Sequence, residues 1–379
     1  MNQAACGRPT WVEIDLSALG WNLHRVRRRV GSGIRILAVV KADAYGHGAE
    51  CCAPALAAAG ADQFGVATVE EGAALRRAGI TAPVVVLGLA RPDEAPALLA
   101  MNLETAVADL ETALHFARAA RRRRRRLGLH LKVDTGMGRI GADPGEAAPL
   151  ARRLRNAAGV DLRGVFSHFA HADGREPRLL GDQMRLFASA AEGVRAYWPR
   201  ALRHLANSAA VIEAPRTYFD MVRPGLMLYG LYPASRLRRR EDLKPVLSWK
   251  TAVVQVKRVS AGTGISYGHA YVTKRPTWVA TLPVGYADGF PRNLTNRGVV
   301  LIKGRRCPVI GRVTMDMTMV DVTSAAPVRL GETAVMVGRQ RGRELTADDM
   351  ARLRDTISYE VVTAIGDRVP RRPRGGRRG

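Results

Sequence analysis

Over its first two thirds the chain alternates between two textures. Short apolar runs end in glycine or a polar cluster, and Ala- or Arg-rich stretches with apolar residues at helical spacing follow them. The runs predict strands at 36–41, 63–68, 83–88, 104–108, 127–134, 162–168, 202–207 and 218–223. The stretches between them predict helices at 49–59, 69–78, 93–101, 110–120, 144–157, 178–197 and 209–214. A further helix opens at Ser17, after a short apolar segment at 11–15. Eight strands with intervening helices in about 200 residues are what a (β/α)8 barrel requires, whereas a doubly wound open sheet usually has fewer strands per domain.

The texture changes at 235–244, a charged, proline-bounded segment that reads as a linker. Beyond it come short strand-like runs at 246–259, 277–283, 298–302, 307–313, 317–322 and 332–337, with helical signal only at 347–354 and 358–365. The expected fold class is α/β, an N-terminal (β/α)8 TIM-like barrel at 10–240 followed by a mostly β C-terminal domain at 241–370. A basic tail at 371–379 is expected to be disordered.

Composition narrows the partners. The net charge is +25, yet the excess gathers in arginine runs at 121–126 and 236–240 and in the tail from 368. Basic runs without aromatic neighbours read as solvated faces, so no specific nucleic acid is expected. Cys6, Cys51, Cys52 and Cys307 have no metal-ligand spacing, so no metal is expected and a reducing compartment is. Residues 1–10 lack the pattern of an export signal, and no run approaches the ~18 apolar residues of a membrane span. The expected location is the cytoplasm, away from the membrane.

In a barrel, chemistry collects at the C-terminal strand ends. Those ends carry Lys41-Ala-Asp-Ala-Tyr45, Lys132-Val-Asp-Thr-Gly-Met-Gly-Arg139, Ser167-His168, Asn207-Ser208 and Arg223-Pro-Gly225. Lysine occurs only at 41, 132, 244, 250, 257, 274 and 303, while the chain holds 59 Lys and Arg residues together. A lysine at a strand end, in a chain that writes positive charge as arginine, points to a need for a primary amine. The groups after the seventh and eighth strands suit a phosphate cradle. A reactive lysine facing such a cradle suggests pyridoxal phosphate held as a Schiff base. Singly, each group has an ordinary structural reading: His168 as a core histidine, Gly136 and Gly138 as turn residues.

The stretches AVVKADAYGHG, LKVDTGMGRIG, RPGLMLYG, ISYGHAY, LPVGYADG, VTMDMTMVDV and ISYE occur in that order between Trp11 and Pro370. In them the chain resembles the pyridoxal-phosphate-dependent alanine racemases across both expected domains. The resemblance implies a homodimer with shared active sites, a small amino-acid substrate, and D-alanine supply for peptidoglycan. It implies that Lys41 bonds the cofactor and acts as one acid–base group, with Tyr267 from the other subunit opposing it. His168 and Arg223 would form the relay behind that tyrosine, and Arg223 would also face the pyridine nitrogen. Arg139 would contact the ring oxygen and the substrate carboxylate. Lys132 matches a family lysine often found carbamylated. Tyr45, Asn207, Ser208, Gly225 and Leu226 match cofactor-binding positions, and Met315 matches the backbone contact to the substrate carboxylate. Asp173, Tyr286, Arg292 and Arg312 match residues of the access corridor.

Two positions depart from the family pattern. Thr314 stands where many relatives carry Cys, and Asp367 stands where many carry a phosphate-touching tyrosine. A carboxylate beside a phosphate is repulsive, with Arg368 the available screen, so Asp367 is expected to turn away and leave room for serine or larger amino acids. A broader or serine-directed racemase is therefore the close alternative. A non-catalytic cofactor carrier would typically lack the second domain, and a decarboxylase on a similar fold would carry a Cys- and Asp-bearing C-terminal motif.

Overall fold

The computed structural model describes residues 8–174 and 176–375. They form two units. One consists of Ala18–Ala44 and Gly48–Lys244; the other takes in the described residues up to Ser17, Tyr45–His47 and those from Pro245 on.

The first unit is a closed barrel of eight parallel strands: Arg35–Val39, Gln63–Val66, Val84–Leu89, Glu104–Val107, Leu127–Lys132, Val160–Phe166, Leu202–His204 and Met221–Val222. The last pairs with the first, Arg35 with Met221 and Ile36 with Val222. These strands are covered by helices outside and by each other inside, which is why the sequence shows continuous apolar runs rather than alternation. Most begin where expected and stop earlier, because the terminal residues turn out of the ladder to carry the rim's polar groups. The helix Leu110–Arg122 is typical of the outer ring. Asp109 caps it by accepting the Thr112 amide at 2.7 Å, and Ala113, Phe116, Ala117 and Ala120 form its buried stripe.

One expectation for this unit is corrected. The segment at 235–244 is no free linker: Glu241 is buried and paired with Arg25 at 2.6 Å and Arg29 at 3.3 Å. Arg121–Arg126 are all exposed, as a solvated face requires, and some arginines of the runs also reach carbonyls: Arg123 donates to Pro96 O, Arg126 to Val160 O, and Arg236 to Asp173 O and Gly174 O. Carbonyls at strand and helix ends need donors, and the long guanidinium arms reach them.

The second unit is mostly β. Its main sheet runs in the order Arg305–Pro308, Val299–Ile302, Thr333–Gln340, Leu247–Ala252, Thr10–Asp15, Arg371–Arg374, with Arg343–Leu345 paired beside Thr333–Gln340. A second sheet holds Gln255–Val259, Thr277–Leu282 and Thr318–Asp321. The single run expected at 246–259 is thus two strands in two sheets. Thr10–Asp15, placed with the barrel by sequence order, pairs antiparallel with Leu247–Ala252. The tail expected at 371–379 is corrected as well: Arg371–Arg374 pairs in parallel with Thr10–Asp15, and Arg374 reaches Glu13 at 2.6 Å. Residues 376–379, like Cys6, lie outside the described residues. No helix of the described residues is long and apolar enough to cross a membrane.

Candidate active site

The chain leaves the first barrel strand through an unusual turn. Ala42, Asp43, Ala44 and Tyr45 all have left-handed φ, between 51° and 56°. Such backbone costs L-residues roughly 1–2 kcal/mol each and gathers at functional sites. Two carboxylates hold it. Glu71 accepts the amides of Ala42 and Ala67, both at 2.7 Å, and Asp43 accepts the Ala49 amide at 2.7 Å. The turn leaves Lys41 half-buried at the strand end. Burial lowers its pKa, the nearby Arg139 lowers it further, and Glu71 opposes both.

The remaining barrel residues expected at the rim do converge. Asp134 accepts the amides of Gly136, Met137 and Arg139 at 2.9, 2.8 and 3.2 Å, shaping the turn that carries the exposed Arg139. Gly136 and Gly138 have φ of 123° and 68°, so the turn itself demands them. Lys132 is the last residue of its strand, buried, and donates to Val133 O at 3.0 Å. Burial, then Arg223, pull its pKa down to about 8. Lys132 and Arg223 lie 5.4 and 5.3 Å from the centre of the same ring, that of Phe166.

Arg223 is buried, and its guanidinium donates to the carbonyls of His204, Ser167 and Leu205. Imidazole nitrogens flank it, His204 Nδ1 at 3.2 Å and His168 Nδ1 at 3.4 Å. Among the described residues no carboxylate pairs with it, and burial lowers its pKa to about 9. His168 is neutral: burial, Arg223, Arg139, Lys132 and Lys41 together pull its pKa to about 3. Gln183 fixes the loop beyond, accepting the Ala170 amide at 2.9 Å and donating to His168 O at 3.3 Å.

Past the seventh strand the Asn207 side chain caps the helix Ser208–Glu213, accepting the Ala210 amide at 3.1 Å. Ser208 Oγ accepts the amides of Gly225 at 3.0 Å and Met227 at 3.3 Å, with Leu226 between them. With both acceptor positions used, the hydroxyl proton is available to a further acceptor, such as a phosphate oxygen. Asp173 lies exposed in the loop after His168.

In the β unit, Tyr45 is half-buried, its ring 6.4 Å from that of Tyr359, and desolvation raises its pKa to about 12. Three loops carry the other expected residues. Tyr267 opens a short turn and is 72% exposed. Ser266 donates to Arg312 O at 2.8 Å, and a Cβ on Gly268 would meet Arg312 Nη2 at 3.6 Å, so Arg312 adjoins Tyr267. Tyr286 donates its amide to Thr314 O at 3.0 Å, next to the exposed Met315. Thr295 donates to Arg292 O and accepts the Val313 amide, tying Arg292 to the same group. Asp367 is exposed, and Arg368 is committed to Asp288 and Asp316, which corrects its expected availability as a phosphate screen.

Four residues here escape sequence reasoning: Glu71, His130, His204 and Glu104. His130 and His204 are fully buried and 3.0 Å apart, and Glu104 reaches His130 at 2.8 Å. Their only sequence signal is a histidine inside an apolar strand. Among the described residues, no cluster of His, Cys, Asp and Glu could hold a metal ion.

Two family models match the chain: "Alanine racemase, N-terminal domain" over residues 14–233 and "Alanine racemase, C-terminal domain" over residues 246–373. The alanine racemase of Symbiobacterium thermophilum is 50% identical over 96% of this chain and 97% of its own length. That of Halothermothrix orenii is 46% identical over 96% of each chain. The crystal structure of alanine racemase from Streptomyces lavendulae superposes with a TM-score of 0.93, at 37% identity over 98% of both chains. That from Clostridium difficile gives 0.93 as well, at 35% identity over 97% of this chain and 96% of the other. With a closed eight-stranded barrel and a β-rich second unit matched over nearly their whole length, the chain belongs to the alanine racemase family.

Proposed function

We propose that the protein interconverts L-alanine and D-alanine with pyridoxal phosphate as cofactor, and so supplies D-alanine to cell-wall synthesis. The observation that carries this reading is the half-buried, pKa-lowered amine of Lys41, on the same rim as a phosphate-ready Ser208 and the buried guanidinium of Arg223. The residues fit the group. Lys41 would bind its aldehyde, and Ser208, Gly225, Leu226 and Tyr45 its phosphate, with Asn207 holding the cradle's helix. Arg223 would donate to its ring nitrogen. When bound, pyridoxal phosphate supplies an electron sink that acidifies the substrate's α C–H.

Racemisation removes a proton from one face of the α-carbon and returns one to the other, so it needs two bases. Lys41 serves one face and Tyr267 the other. The 72% exposure of Tyr267 within one chain supports its delivery to the site of a second copy, in a homodimer with shared sites. Arg139 and the Met315 backbone hold the substrate carboxylate. Lys132, its pKa lowered to about 8 by burial and Arg223, carries a larger neutral fraction near neutral pH than an ordinary lysine. Its carbamylation would set an anion between Arg139 and Arg223 and orient Arg139. Arg223, which does not readily give up its proton, would leave the ring nitrogen unprotonated and so discourage side reactions such as transamination. His168, neutral, joins Arg223 to the tyrosine side, and Asp173, Tyr286, Arg292 and Arg312 line the access corridor.

The test is the absorbance spectrum of the purified holoenzyme, followed by L-alanine addition and a D-alanine assay. A Schiff-base band that borohydride fixes on Lys41, with D-alanine formed, is the expected result. A band without turnover on alanine or serine would point to a cofactor carrier. No band after adding the cofactor would overturn the reading.

A further inference from the structure

We infer that Glu104, His130 and His204 form a hydrogen-bonded column through the barrel interior that orients and electrostatically compensates Arg223. Glu104 and His130 are then positioning residues for a site whose rim neither of them reaches. The inference rests on the reading above, in which Arg223 faces the bound cofactor.

Donor and acceptor rules fix the column's polarity. A guanidinium only donates, so the 3.2 Å contact from Arg223 Nη1 makes His204 Nδ1 an acceptor. Burial, with Arg223, His130 and Lys132 adding to it, drives the His204 pKa well down, so this imidazole is neutral. Its one proton therefore sits on Nε2 and is donated to His130 Nδ1 at 3.0 Å. His130 then carries its own proton on Nε2 and donates it to Glu104 Oε2 at 2.8 Å. All the bonds point one way, from an obligate donor at the top of the barrel to a carboxylate at the bottom. Bonds so aligned polarise one another, and the Glu104 charge is felt at Arg223, which has no carboxylate partner among the described residues.

The barrel makes room for this column. A Cβ on Gly164 would lie 2.4 Å from His130 Nδ1 and 2.9 Å from His204 Nε2. One on Gly128 would lie 2.8 Å from Glu104 Cγ. Neither glycine is in the left-handed region, so backbone conformation does not explain them; the passage of the column does. Phe166 stacks on His204 with ring centres 4.8 Å apart, fixing its plane. Glu104 opens to a cleft of about 230 Å³ lined also by Arg125, Arg126 and Arg163. Burial works against its charge, while the hydrogen bond from His130 and the nearby Arg163 and Arg76 favour it and leave its pKa lowered.

The test uses Glu104→Gln holoenzyme, which keeps an acceptor for His130 but removes the charge, beside Arg163→Gln as a control at the same barrel end. Glu104→Gln should lower kcat about tenfold, shift the bound-cofactor absorbance and its pH profile, and leave the KM for alanine within about twofold. Arg163→Gln should change none of these. Wild-type kcat and spectrum in Glu104→Gln, or equal losses in both variants, would overturn the column's role. Should Glu104→Gln not fold, histidine 15N NMR of the wild-type holoenzyme reads the same point. Nε2–H tautomers at His130 and His204 support the column, and an Nδ1–H tautomer at His204 overturns it. Failure of the cofactor reading is a separate result, a wild-type protein with no Schiff-base band.

Discussion

Arg368 Nε lies 2.9 Å from Oδ1 of Asp288, a carboxylate with no solvent exposure. Arg8 grips the same carboxylate from another side, and its second oxygen accepts the Gly285 amide at 2.9 Å. A buried charge held this way is costly to leave half-made. Asp288→Ala should therefore lower the unfolding free energy by about 3 kcal/mol, with Asp288→Asn losing less because it keeps the Gly285 bond. Urea denaturation of the three proteins checks this; equal stabilities would contradict it.

Arg368, the cation next to Asp367 in the chain, is held by Asp288 and Asp316. The Asp367 carboxylate is exposed, where many relatives carry an aromatic ring. Asp367→Tyr should narrow the substrate range, raising the ratio of alanine to serine racemisation. Initial rates on both amino acids measure it, and an unchanged ratio would count against a role in selectivity.

Ser208 is the keystone of the cradle, since one hydroxyl accepts two amides. Ser208→Ala should raise the dissociation constant for pyridoxal phosphate about tenfold or more, as buried amides lose their acceptor and the phosphate its donor. Reconstitution of the cofactor-free protein, followed by absorbance, gives the constant directly.

Burial and four neighbouring cations keep His168 neutral, with a folded pKa of about 3. Below pH ~6.5 the unfolded chain takes up a proton that the folded one refuses. Stability therefore falls as pH drops from 6.5 towards 3, by about 1.4 kcal/mol per unit from this residue, and His204 acts in the same direction. Between pH 7 and 5, cofactor-free wild type should lose about 2 kcal/mol more than His168→Asn. Equal losses in urea titrations would show that His168 protonates freely.

The barrel was legible because each of its strands is short, apolar and ends in small or polar residues. Lys41, Lys132, Arg139, His168 and Arg223 were legible for the same reason, since strand ends are positions that a sequence marks. What connects residues across the barrel left no such mark. His130 and His204 come from strands far apart in sequence, and Gly164 has meaning only once both imidazoles are placed beside it. The arginine runs were legible as exposed charges, and only the fold shows which carbonyls some of them also reach. Thr10–Asp15 carries no sign that its partners are Leu247–Ala252 and Arg371–Arg374.

That last pairing has a consequence for how the molecule is made. Thr10 pairs with Thr251, 241 residues further on, and the strand's other neighbour, Arg371–Arg374, comes still later. At ribosomal speeds of roughly 5–20 residues per second, the nascent strand waits about ten to fifty seconds for its first partner. The barrel emerges in between and can close without it. The early strand then depends on the late one: a chain cut short before Arg371 leaves it with one edge bare, open to chaperones, proteases or a neighbouring chain.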